Sequence, residues 1–294
     1  MTDPARRGFL VLGTALVASF AAGSMGTARA DAMSSSAYSA VQEVLPKEGV
    51  TLPFSFGDAI QKLVAAGVLD PKKYRALYQS AGNAPPWVAR LLQSRSRDPI
   101  LFSAKTAPYL LNLLWPLGLA TRMRINRRSP LNTLRIPTFA STGGWSLGRK
   151  PLGYLYFNNV DTMALSDEQE ALVSESATRT FRPCCDNPTF FQDCNHGSAL
   201  LGLIALAASQ GGTMREIFDA ALVANSYWFP DKYVLSAMQL KRTGHPRWNA
   251  LDPRFLLDKD ISSLSGWQRN VYAPLVEAHV ELPSELRGQL ACGT

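Results

Sequence analysis

The chain has 294 residues, of which 46% are hydrophobic and 18% charged, with a formal charge of +7. That length suits one large domain or two small ones and buries a core unaided, so the four cysteines are not needed as they are in a small secreted scaffold. The charge is a mild pull toward an acidic partner, and nothing in it asks for nucleic acid.

The first thirty residues read as an export signal. Arg6 and Arg7, followed by Gly8, Phe9 and Leu10, resemble the twin-arginine consensus, with Ala5 and Val11 departing from its fullest form. The apolar run that follows ends near Gly23 and is too short to span a bilayer. Ala28 and Ala30 flank Arg29 in a small-x-small cleavage pattern. This resemblance implies the twin-arginine export machinery as a partner, cleavage near Ala30, a periplasmic or secreted protein and a raised expectation of a cofactor, since that route carries folded proteins. Removing residues 1–30 takes away Asp3, Arg6, Arg7 and Arg29, and the formal charge falls to +5. No later stretch is long and apolar enough for a stable membrane anchor.

Residues 31–294 are expected to form a single mainly α-helical domain, with halves at 41–120 and 161–294 joined by a basic, Gly/Pro-rich segment. Residues 32–40, rich in Ser and Ala, read as a flexible start. Ser55 is a candidate cap for a helix carrying Ile60, Leu63, Val64 and Val68. Pro71 and Pro85-Pro86 open two further helices, and residues 104–120 form the most apolar one, with Pro116 placed to kink or end it. Residues 121–160 are basic and irregular, with a short strand or hairpin expected at Tyr154, Tyr156 and Phe157. Capping boxes at Ser166/Gln169 and Thr213/Glu216 start two helices, and an apolar helix from Gly197 to Gln210 lies between them. Pro230 opens another helix ending at Gly244, and helices around 262–279 and 284–290 complete the chain.

Chemistry concentrates in one loop. Cys184, Cys185, Cys194 and His196 offer three sulfurs and an imidazole, a donor set that holds zinc and also suits copper or iron. The spacing is not that of a zinc knuckle, and adjacent cysteines strain if both ligate one ion, so one of Cys184 and Cys185 is expected to bind. Cys194 and His196 stand at the mouth of a helix, where unpaired N–H groups favour a thiolate. Asp193 or Asn195 is the expected cap, and Asp186 and Asp193 are candidate acceptors for the imidazole N–H. The competing account is a disulfide pair, in which Cys184 or Cys185 joins Cys194 and the other takes Cys292. A covalent c-type haem lacks its Cys-x-x-Cys-His motif, while a haem held by His196 alone stays open. The site thus points to a metal-binding or redox protein, an oxidoreductase or hydrolase if it is an enzyme. The alternative is a non-catalytic, disulfide-stapled scaffold of the cell envelope without a cofactor.

Other features are weaker. Arg122, Arg124, Arg127, Arg128 and Arg135 suit an anionic envelope ligand or a solvated face. Ser141, Thr142 and Trp145 read as a hairpin turn able to line a pocket. The aromatic residues of 225–233 read as core packing, and His245 and His279 are isolated in sequence.

Overall fold

Helices dominate the computed structural model, which describes residues 35–280. The export leader, with Arg6, Arg7, Ala28 and Ala30, lies outside the described residues, as do Cys292 and the helix expected at 284–290.

The first half starts with helix α1 (Ser35–Val44). This corrects the expectation of a flexible start: Ala37, Ala40 and Val44 fall on one face and are buried, so tertiary contact orders the segment. Strand β1 (Val50–Leu52) follows, then α2 (Ala59–Ala65), α3 (Pro71–Leu77) and α4 (Pro86–Gln93). Ser55 does not cap α2. Its N–H and hydroxyl turn instead to Oε1 of Gln210, 155 residues away, and Asp58 occupies the cap position without a side-chain capping bond, pairing instead with Lys62 (3.1 Å). Asp70 caps α3 by accepting from the Lys72 and Lys73 amides, with Pro71 in the first turn. Strand β2 (Ile100–Phe102) pairs antiparallel with β1, Leu52 opposite Ile100.

Helix α5 (Ala107–Ala120) runs through Pro116 without ending there. Its later half is buried almost all round, as an apolar central helix must be. The 121–160 segment is irregular, as expected, but it holds no hairpin. Tyr154 and Tyr156 lie in a 3-10 turn (Gly153–Tyr156), and the only named strands among the described residues are β1 and β2. Residues 140–143 form a one-turn helix, α6 (Ala140–Gly143), where a hairpin turn was expected. Trp145 donates its indole N–H to the Val68 carbonyl (2.8 Å), which ties this segment to the first half.

The second half follows its punctuation. Helix α7 (Asp167–Arg179) and helix α9 (Met214–Trp228) both start with complete capping boxes, at Ser166/Gln169 and Thr213/Glu216. Between them lies α8 (Asn195–Ser209), and after them α10 (Pro230–Arg242). The expected helix over 262–279 is broken into short pieces: Lys259–Ser262, Leu264–Trp267, a π-helical turn over Gln268–Tyr272 and Ala273–Glu277.

The α5–α8 crossing sets the centre of the fold. Gly118 and Gly202 face each other there, and the backbones approach so closely that a Cβ on Gly118 would stand 1.8 Å from the Ser198 carbonyl oxygen. The main core gathers around this crossing. A second core joins α1 and α10 to Trp248, Leu256, Ile261, Trp267, Val271 and Leu275. In the loop between α7 and α8, Phe190 packs against the main core.

Candidate metal centre

Helix α8 fixes half of the centre. Its N-cap is Cys194, whose Sγ accepts the Gly197 amide at 3.3 Å. Sequence logic expected Asp193 or Asn195 in that role. Asn195 instead accepts the His196 amide at 2.9 Å, and Asp193 turns away to a buried arginine. The cap thus places a sulfur on the positive end of the helix, where a thiolate is favoured. One residue on, the His196 ring packs against Phe229 (4.5 Å between centroids) and Trp228 (5.9 Å). The aromatic corner at 225–233 therefore walls the imidazole as well as packing the core.

The other half comes from the preceding loop. Cys184 Sγ lies 3.7 Å from Cys194 Sγ. One donor atom from each of Cys184, Cys194 and His196 falls within 4.8 Å of the others, and all three residues are half-buried. Cys185 is outside this trio, with its sulfur 4.0 Å from both the Asn187 carbonyl and Asp193 Oδ1. The loop is fastened to the C-terminal segment by three bonds: the Phe181 amide donates to the Leu257 carbonyl (2.9 Å), the Leu264 amide to the Cys185 carbonyl (3.0 Å), and the Ser265 amide to Asp186 Oδ1 (2.8 Å). Asp186 is thus a structural fastening and not a partner of the imidazole.

Arg182 organises the whole loop, and sequence reasoning passed it over. Its side chain is 0% exposed. Nε donates to Cys194 Sγ (3.2 Å), and the two terminal nitrogens donate to the carbonyls of Asn187 and Phe191 (3.1 Å each) and to Asp193. Asp193 is held from its other oxygen by the Asn187 side-chain amide at 2.8 Å. Gly197 makes room for the guanidinium, since a Cβ there would come within 2.6 Å of Arg182 Cζ. The signal was present as an arginine two residues before a cysteine pair, but its meaning depends on burial.

The charges follow this geometry. Hydrogen bonds from Cys184 and Cys185 hold the Cys194 thiol well below its ordinary value, burial opposes them, and the Arg182 guanidinium adds to the lowering. Cys184 is raised, first by its hydrogen bond to Cys185, then by that to Cys194 and by burial. Cys185 is lowered by its bond with Cys184, but Cys194 and burial outweigh this and push it up to about 11. Burial disfavours the charge on Arg182, yet the sulfurs of Cys194, Cys185 and Cys184, with Asp193, raise it above the usual arginine range. Charge on the Cys194 sulfur is thus favoured by the buried Arg182 cation 3.2 Å away and by the Cys184 sulfur at 3.7 Å.

Behind Cys184 runs a buried polar chain. Ser262 donates to the Leu256 carbonyl (2.7 Å), so Tyr233 must donate to Ser262 (2.6 Å) while accepting from the Asn225 amide (3.0 Å). Burial raises the Tyr233 hydroxyl, and the neighbouring Cys184 adds to the effect.

The remaining candidates lie elsewhere. No disulfide forms among the described residues: Cys184, Cys185 and Cys194 are free thiols. His245 contacts Thr243 and stacks on Phe255, and neither it nor His279 joins the trio. Arg122 pairs with Asp161 (3.5 Å), and Arg124 with Asp167 and with Glu170 (3.4 Å). Arg127 and Arg128 are exposed and form no ion pair among the described residues. Ser141 and Thr142 are buried, and the Ser141 hydroxyl has no hydrogen-bond partner. No helix among the described residues is long and apolar enough to cross a membrane.

Fold and site together define a mainly helical protein with a two-sulfur, one-imidazole cluster that could hold a metal ion. Compared with known proteins, the chain matches no family, no curated sequence and no solved structure.

Proposed function

We propose that the protein is exported by the twin-arginine route and binds a metal ion, zinc first, through Cys184, Cys194 and His196. The observation that carries the metal reading is the Cys184–Cys194 sulfur separation of 3.7 Å. Two thiolates on one tetrahedral zinc, with Zn–S bonds of about 2.3 Å, stand roughly 3.8 Å apart. The donor types agree, since two soft sulfurs and an imidazole suit zinc, copper and iron in preference to calcium or magnesium. Three protein donors leave a fourth position for water, a substrate or the Cys185 sulfur, an arrangement that catalytic zinc sites keep and closed structural sites do not. Zinc there would act as a Lewis acid, Arg182 would hold the Cys194 thiolate, and the Trp228 and Phe229 rings would fix the imidazole.

The export reading rests on Arg6, Arg7, the short apolar run and the Ala28–Ala30 pattern. A periplasmic or secreted location follows from that reading.

The full chain, produced with its leader in a bacterium that has the twin-arginine route, tests both parts. Elemental analysis of the purified protein should find about one zinc per chain, lost in Cys194→Ser and in His196→Ala. Absence of metal together with absence of titratable thiols would replace the metal centre with a disulfide-stapled scaffold. Changing Arg6 and Arg7 together to lysine should leave the chain uncleaved in the cytoplasm, and unimpaired export would sink the leader assignment.

A further inference from the structure

A second site lies away from the sulfur cluster, between α4 and β2. It is a cavity of about 330 Å³. Phe56, Trp87, Leu91, Ile100, Leu101 and Leu110 give it an apolar lining, and Arg90, Arg95 and Arg97 also line it. The local chain geometry puts these groups together. On α4, Trp87, Arg90 and Leu91 follow the i, i+3, i+4 spacing and share one face, and Ser94, where the chain turns extended, closes that end. Beyond α4 the chain is extended at Ser96, which pairs as an isolated antiparallel bridge with Gly57 (Ser96 amide to Gly57 carbonyl, 2.9 Å). Residues either side of such a position point the same way, so Arg95 and Arg97 share a side.

The three arginines are exposed, and none forms an ion pair among the described residues. The one carboxylate at the cavity is Asp98, which accepts from the Ser96 hydroxyl (3.4 Å). The lining therefore carries three cations against one anion around an apolar floor. Arginine is the cation suited to this, because its fork of donors matches a carboxylate in two parallel bonds. The volume lies in the range of small-molecule pockets. At about 30 Å³ for each water-sized group, it holds of the order of ten heavy atoms.

We propose that this cavity binds a small acidic amphiphile, a carboxylate with a short aliphatic tail, with the tail against Trp87, Leu91, Leu101 and Leu110 and the carboxylate among Arg90, Arg95 and Arg97. The site is independent of the metal reading and would survive its failure.

Titration calorimetry on the full-length protein tests it, with octanoate as the probe, octan-1-ol as the neutral probe of the same length and octylammonium as the cationic one. Octanoate should bind saturably, one per chain, at least tenfold tighter than octan-1-ol, which is about 1.4 kcal/mol. Raising the salt should shrink that margin, since exposed charges are screened. The triple variant Arg90→Gln, Arg95→Gln, Arg97→Gln should reduce octanoate to the level of octan-1-ol and leave octan-1-ol unchanged. Leu101→Trp, at a half-exposed position that tolerates bulk, should block both probes. Chelator treatment should leave every one of these results as it was. Equal binding of octanoate and octan-1-ol, binding of octylammonium as tight as octanoate, full affinity in the triple variant, or no saturable octanoate binding would each overturn the proposal.

Discussion

Removing Arg182 should be among the most damaging single changes in the chain. Its guanidinium is fully buried and donates to Cys194 Sγ, to two loop carbonyls and to Asp193. In Arg182→Leu those acceptors lose their donor while the surrounding protein still covers them. Breaking a buried ion pair from one side costs about 3–5 kcal/mol, because the remaining charge is left uncompensated. The lower end applies here, about 3 kcal/mol, since Asp193 keeps 19% of its side chain exposed and retains its Asn187 bond. For a protein of this size that corresponds to a fall in Tm of roughly 6–12 °C. Thermal unfolding by circular dichroism measures it, and the double variant Arg182→Leu, Asp193→Leu supplies the check. Taking away the carboxylate as well should restore part of the loss, because a buried pair replaced on both sides costs far less than one broken on one side. A single variant that loses less than about 1 kcal/mol, or a double variant no better than the single, would refute the claim that this ion pair braces the loop.

Three further outcomes follow from the packing and from the donor set. Gly118→Ala should lower Tm despite alanine's advantage of about 1 kcal/mol in a helix, because its Cβ would overlap the Ser198 carbonyl oxygen at 1.8 Å; a rise in Tm would mean that α5 and α8 can part. Asp231→Asn should raise Tm at neutral pH. Burial raises the Asp231 carboxyl, one of its oxygens has no hydrogen-bond partner, and the folded state therefore takes up its proton more readily than the unfolded chain does. The cost of the charge is then fully present above the folded value, and the gain from asparagine should vanish below the ordinary carboxylate value of 3.8, which Tm against pH will read. Cys185→Ser should retain zinc that Cys184→Ser loses, since only Cys184 belongs to the trio within 4.8 Å; equal loss in both, read by elemental analysis, would put all three sulfurs on the ion.

What was legible in the sequence was local. The two capping boxes, at Ser166 and Thr213, involve partners three residues apart, so the helix starts could be read directly. Ser55 failed as a cap because α2 starts only at Ala59, with Asp58 in the cap position, while a residue distant in sequence, Gln210, accepts from Ser55. The pairing of β1 with β2 joins two three-residue strands that carry too short a pattern to announce themselves. Residues 32–40, rich in Ser and Ala, looked loose, and it is the distant α10 and Trp248 that give Ala37 and Ala40 something to bury against. At the candidate site the donor types were evident from composition. The division of labour was not: Asp193 and Asp186 looked like partners for the histidine, but Arg182 and the Ser265 amide claim them.

The fastening of the loop to residues beyond 260 has a bearing on when the centre can exist. Cys185 and Asp186 are bonded to the Leu264 and Ser265 amides, and His196 leans on Trp228 and Phe229. A chain still emerging from the ribosome has its three donors long before it has the wall behind them. A domain generally folds as a unit, so this cage closes only when the segment beyond residue 260 is also free to fold. Any ion it takes would be captured by the finished molecule and not by a growing one, in whichever compartment that molecule first completes its C-terminal helices.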